Sequence, residues 1–220
     1  MKSTLGKVWD GALKFLDPPA LHQWSAVSAG IGGAKSVLDL GCGKGGHIKE
    51  TDRFSGIQLV GVDVSRTWAS EVPGCYSEVI EGQLLDVLAS TPADAYDVVM
   101  AIDVVEHFDR SDGYKLLSEM RRVSARSAIV ATPNGFVPQP PSDDNPFNEH
   151  RSGWTADDLK AAGFREVSGH FGHRRLRGSF GLPTVRPSHL GYLLSALTAR
   201  PLAPFPSVCY QLVGIAHKVR

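Results

Sequence analysis

The stretch VLDLGCGKGGH, residues 37–47, constrains the fold of this chain more tightly than any other. An apolar run ends at Leu40, and glycines follow at positions 41, 43 and 46. That spacing turns a strand sharply into a helix and lets the backbone approach a ligand closely. What the loop holds depends on its flanks. An acid, Asp39, stands two positions before Gly41. A carboxylate there opposes the pyrophosphate of a dinucleotide but suits a ligand that carries an ammonium group, which it can pair by a charge-assisted hydrogen bond.

From Ser36 onward, short apolar segments alternate with helical ones: SVLDL, LVGVDV, YSEVIEG, YDVVMAID and SAIVATP. Alternation of this kind predicts a parallel sheet covered by helices on both faces. Before the last of these strands, Leu116, Leu117, Met120 and Val123 recur at helical spacing behind Ser111, which is expected to cap that helix. Residues 132–154 are rich in proline, asparagine and aspartate and predict a long loop. Thr155 and Asp158 then form a capping box for a short helix that Gly163 closes. A strand at REVSGHF and a long terminal strand over 207–219 are expected to extend the sheet at its edge.

Upstream, residues 1–35 show helical spacing at Leu5, Val8, Trp9, Leu13 and Leu16, a stop at Asp17–Pro19, and a second short helix from Leu21 to Val27. This segment is expected to cover the ligand site, with the main domain over 36–220. Within that domain, 133–154 and 172–206 are expected to serve as substrate or lid segments.

Composition bounds the function. The chain has 220 residues, 42% of them hydrophobic, with 23 basic and 23 acidic side chains. The size suits one substantial core, and the balanced charge argues against a polyanion as main partner, so no nucleic acid is expected. Cys42, Cys75 and Cys209 form no paired motif, which argues against both a disulfide framework and a zinc site. His170 and His173 lack metal-site spacing, and no metal is expected. The N-terminus has no signal-peptide pattern and no run of about 18 apolar residues occurs, so a cytoplasmic location without a membrane span is expected.

VLDLGCGKG, the acid Asp63 about 20 residues on, YDVVMAIDVVEHF and ATPNG together resemble the class I S-adenosylmethionine-dependent methyltransferases from Ser36 to the C-terminus. The resemblance implies a seven-stranded, mostly parallel Rossmann-like sheet with helices on both faces and an antiparallel C-terminal strand. It implies S-adenosylmethionine as cofactor, held by Asp39, Gly41, Cys42, Gly43, Asp63, Val64, Gln83, Leu84 and Ile102. Asp39 would orient the methionine end and Asp63 would fix the ribose. Relatives carry Gly-Asp after the third strand where this chain has Gly82-Gln83, so Gln83, with Asp86 as second candidate, would accept from the adenine amino group.

The implied reaction is methyl transfer to an oxygen or nitrogen of a small-molecule acceptor, with sulfur and carbon less favoured. His107 and His150 are the candidate bases. Arg174, Arg175, Arg177 and Arg186, with the leucines behind them, suit an amphipathic or anionic acceptor, and the leucines themselves are expected in core or a dimer interface. A monomer or homodimer fits these features. Two other classes remain open at this stage: a nicotinamide-dependent oxidoreductase, which shares the strand-end acid, and a non-catalytic scaffold that retains the cofactor fold.

Overall fold

A computed structural model describes residues 18–45, 48, 54–65, 74–141, 146–178 and 181–218. The expected helix over Leu5–Leu16 lies outside the described residues, as does Gly46, the third glycine of the spacing.

A seven-stranded sheet forms the centre, in the order β3-β2-β1-β4-β5-β7-β6. Its parallel part comprises β1 (Ser36–Leu40), β2 (Gln58–Asp63), β3 (Glu78–Glu81), β4 (Tyr96–Ile102) and β5 (Ser124–Pro133). The last strand, β7 (Cys209–His217), inserts antiparallel between β5 and β6 (Glu166–His173). Seven strands, the parallel order and the antiparallel C-terminal pair are thus as the sequence implies.

Strand alternation builds two cores from one sheet. Leu38, Leu40, Val60, Val62, Val99 and Val130 point to one face, and Val37, Leu59, Val98, Met100 and Ile129 point to the other. The first face is covered by α2 (Leu84–Ser90), α3 (Arg110–Val123) and α4 (Ala156–Ala161), which contribute Leu88, Leu116, Leu117, Met120, Val123 and Leu159. On the other face lies α1 (Pro18–Ile31), longer than the expected Leu21–Val27 because proline is tolerated in a helix's first turn. A Cβ on its Gly30 would sit 2.7 Å from Ile129, so this helix packs close against the sheet. Residues 23–35 do not line the ligand cavity described below.

Two local expectations change. The cap position of α3 is Asp109, and Ser111 lies inside the first turn. The leucines of α5 (Ser188–Leu202) are not core: Leu190, Leu193 and Leu197 are exposed, and the helix buries Gly191, Ser195 and Ala199 instead. Small residues at that spacing let the helix lie close to its neighbours. A Cβ on Gly191 would come within 2.6 Å of Pro183, and one on Gly172 within 2.4 Å of the Ser195 carbonyl. The capping box of α4 forms as expected, with Thr155 and Asp158 bonding each other's backbone N–H, and Gly163 follows with φ +93°. No helix among the described residues is long and apolar enough to cross a membrane.

Candidate active site

Parallel sheets bind ligands beyond the C-terminal ends of their strands, and the cavity of this fold lies there. Its volume is about 1490 Å³. Sites for one drug-sized ligand run to roughly 300–1,000 Å³, so this one has room for a cofactor and an acceptor together.

The glycine loop forms one wall. Gly41, Gly43 and Gly45 all have positive φ, as a tight left-handed path after β1 requires. At Gly41 the conformation is reinforced by sterics, because a Cβ would meet Val104 at 2.6 Å. Asp63, at the tip of β2, holds this loop: its Oδ2 accepts the Gly43 N–H at 2.8 Å and its Oδ1 accepts the Ser65 N–H at 2.8 Å. Each carboxylate oxygen retains a further lone pair.

Of the nine residues expected at the cofactor, Gly41, Cys42, Gly43, Asp63, Val64, Gln83, Leu84 and Ile102 line the cavity, as does Asp86. Gln83 occupies the N-cap of α2 but makes no side-chain cap bond, so its amide is not committed to the helix end. Asp39 differs. Its buried carboxylate accepts the Tyr76 hydroxyl at 2.5 Å and does not line the cavity. Burial, and next the Asp39 charge, push the Tyr76 phenol far up and keep it protonated. Burial and the charges of Asp39 and Asp63 likewise push the Cys42 thiol up to about 12. Cys42 is therefore a neutral wall residue.

The opposite wall comes from the turn after β4 and the long loop after β5. His107 ends the 3-10 turn Val105–His107, and His150 lies in the loop. The two segments are joined by backbone, since the Glu106 carbonyl accepts the N–H groups of Arg151 (2.8 Å) and Ser152 (3.0 Å). The rings of His107 and His150 lie 5.0 Å apart in an edge-to-face arrangement. Burial lowers the His150 pKa. The Glu106 carboxyl is pushed well above the usual range by burial and then by Asp103, while Thr132 donates to its Oε2 at 2.9 Å.

Among its described residues the loop over 134–154 is irregular as expected apart from the 3-10 turn Pro146–Asn148, and Pro146, Phe147, Asn148 and Arg151 line the cavity with His150. Trp154 does not. It is fully buried in the core, with Tyr114 edge-on at 5.0 Å and the Arg110 guanidinium 4.5 Å from its ring centroid. Within the segment 133–154, expected to serve the substrate side, Trp154 is therefore a core residue.

From 172–206, Arg177, Arg186 and Tyr192 reach the cavity, while Arg174 and Arg175 are exposed outside it. Arg177 is buried between the rings of Phe171 (5.1 Å) and Tyr192 (5.4 Å). His173 serves locally, its Nδ1 accepting the Arg175 N–H.

Sequence reasoning missed Asp103, Tyr210 and Gln211 as cavity residues. Asp103 sits at the end of β4 with φ +56° and accepts from Gln211 Nε2 at 2.5 Å. The signal was the acid in VVMAID at a strand tip. Its partner, 108 residues away, carries no local signal.

Residues 37–127 match the methyltransferase domain family. Over that stretch, which carries β1 to β4 and the glycine loop, the chain is similar to methyltransferases. Among curated relatives, it is 31% identical over 146 residues to a sterol 24-C-methyltransferase of Yarrowia lipolytica, covering 62% of this chain and 37% of the relative. It is 28% identical over 138 residues to a ubiquinone biosynthesis O-methyltransferase of Bordetella pertussis, covering 59% and 53%. The chain thus spans between about a third and half of the lengths of these relatives. A solved S-adenosylmethionine-dependent methyltransferase from Archaeoglobus fulgidus shares the fold, with a TM-score of 0.56 at 22% identity over 88% of this chain and 94% of that one. The domain matched is a methyltransferase domain, in line with the leading expectation over the nicotinamide-dependent oxidoreductase.

Proposed function

We propose that the cavity binds S-adenosylmethionine along the glycine loop and brings an oxygen or nitrogen of a small-molecule acceptor to it from the His107/His150 side. The observation that carries this reading is the single cavity of about 1490 Å³ that joins Gly41, Gly43 and Asp63 to His107, His150 and Arg177. The residues fit the cofactor: Gly41 and Gly43 of the loop line the cavity, and an acid with spare lone pairs stands at the end of β2.

In this reading Asp63 accepts the ribose hydroxyls, and Gln83, with Asp86 beside it, accepts from the adenine amino group. Asp39 acts on the ammonium end through its charge, together with Tyr76. Bound there, the cofactor supplies a sulfonium methyl group already activated for displacement.

The protein's task is then to place the acceptor in line, which supplies most of the effective molarity, and to take a proton where the nucleophile carries one. The Nδ1 atoms of His107 and His150 face the carbonyls of Glu149 (2.9 Å) and Val137 (2.7 Å). A carbonyl only accepts, so each Nδ1 carries the proton and each neutral ring keeps a free lone pair on Nε2. Arg177 and Arg186, with Phe171 and Tyr192, suit an anionic or amphipathic acceptor. The segments 133–154 and 172–206 form that side. Two relatives named for a sterol and for ubiquinone biosynthesis support a small-molecule acceptor.

The test is transfer of labelled methyl from S-adenosylmethionine into a metabolite extract. Label in the small-molecule fraction is expected, with turnover lowered about 100-fold or more in His150→Ala at unchanged cofactor affinity. Label confined to protein or nucleic acid would overturn the acceptor class.

A further inference from the structure

Glu106 presents a problem that methyl transfer does not solve. Its side chain is buried, Thr132 satisfies Oε2, and Oε1 is buried with no hydrogen-bond partner among the described residues. No lysine or arginine among the described residues forms an ion pair with it. A buried polar oxygen without a donor is costly, and more so when charged, so a site that keeps one has a use for it.

Close to this carboxylate lie the two histidines. Ligand atoms of Glu106, His107 and His150 all lie within 4.8 Å of one another. All three residues line the cavity. Both Nδ1 atoms are held by backbone carbonyls, Glu149 for His107 and Val137 for His150. Metal-binding histidines are oriented in this way: one nitrogen donates to a carbonyl, which fixes the tautomer and leaves the other nitrogen's lone pair for the ion. The backbone bonds from Arg151 and Ser152 to the Glu106 carbonyl hold the loop bearing His150 against the turn bearing His107, so the three ligands belong to one braced unit.

We propose that Glu106, His107 and His150 form a site for a divalent transition-metal cation whose remaining coordination positions open into the cavity. Two imidazoles and one carboxylate suit manganese, iron(II), cobalt or zinc rather than calcium, which prefers oxygen alone. At about 2.1 Å to each ligand, a cation needs the donor atoms roughly 3–3.5 Å apart, so binding draws the cluster together by up to about 1.3–1.8 Å. The sequence expectation of no metal rested on the cysteines and on His170 and His173, none of which belongs to this group.

One consequence rests on the methyl-transfer reading. An acceptor hydroxyl that completes the cation's shell loses its proton to water more readily, because the ion stabilises the resulting oxyanion. His107 and His150 are then ligands, the base role passes from them, and the acceptor class narrows to oxygen nucleophiles.

The experiment uses the full chain, freed of metal by chelator and desalted, without S-adenosylmethionine. Titration with cobalt(II) is expected to bind one equivalent, with a visible d–d band that includes nitrogen ligation. Glu106→Gln, His107→Ala and His150→Ala should each weaken binding at least about tenfold, and His217→Ala, at the end of β7 and outside the cavity, should not. In the unmutated protein, substoichiometric manganese(II) should broaden the imidazole NMR signals of His107 and His150 selectively, a readout that needs no variant to fold. Absence of saturable cobalt binding, or binding that survives loss of both histidines in a folded variant, would overturn the site. Because no cofactor is present, that failure leaves the methyl-transfer reading standing.

Discussion

The carboxylate of Asp63 accepts the backbone N–H of Gly43 at 2.8 Å, tying the tip of β2 to the glycine loop after β1 across 20 residues of sequence. The strand-end acid thus shapes the loop as well as facing the cavity. Asp63→Ala removes both contributions. It should cost about 2–4 kcal/mol of S-adenosylmethionine affinity, roughly 30- to 900-fold, from lost charge-assisted bonds. The fold should survive, because the apolar residues of β2 remain packed. Asp63→Asn keeps an acceptor for Gly43 and should lose less. Calorimetry that finds unchanged affinity in folded Asp63→Ala would remove the residue from the site.

The sheet and its loop were legible because their signals are local. Apolar alternation marks each strand, glycine spacing marks the turn after β1, and Thr155 with Asp158 marks a helix start three residues apart. Other features depend on partners far away in sequence. Trp154 reads as an exposed loop aromatic until α3 supplies Gly113, Tyr114 and Arg110 around it. The leucines of α5 read as core because the residues it buries, Gly191, Ser195 and Ala199, give almost no hydrophobic signal. Asp39 was legible as an acid near the loop, but its bond to Tyr76 spans 37 residues. Glu106 and His107 were visible as an EH pair. Their proximity to His150, brought about by a long irregular loop, was not.

Gly113 tests the Trp154 packing. In a helix interior, alanine is favoured over glycine by about 1 kcal/mol. Here a Cβ would lie 2.4 Å from the indole ring, in a core that overpacking penalises by about 1–3 kcal/mol. The clash should win. Gly113→Ala is expected to lower stability by about 1–2 kcal/mol in urea unfolding, and a stabilised variant would show that the indole can move aside.

Asp158 gives a pH dependence with a definite sign. The hydrogen bond from Arg110 (2.6 Å), and further bonds from Thr155, hold its carboxyl well below the usual carboxylate range despite partial burial. A folded pKa below the unfolded one stabilises the protein above the unfolded value, near pH 4, and that contribution fades as pH falls toward the folded value. Arg110 is partly exposed, so the contribution is about 1–2 kcal/mol. Asp158→Asn should therefore be less stable than the parent at pH 7 by this amount, with the gap closing between about pH 4 and pH 2. A gap that persists at pH 2 would show that the amide disturbs the cap itself.

The proposed site, with the loop, Asp63 and Gln83 holding S-adenosylmethionine opposite His107 and His150, is tested most directly by an equilibrium titration of the purified chain with S-adenosylmethionine and, separately, with NAD and NADP. Saturable binding of one S-adenosylmethionine per chain is expected, and none of either nicotinamide cofactor at the same concentrations. Saturable NAD or NADP binding by a folded chain that ignores S-adenosylmethionine would contradict it.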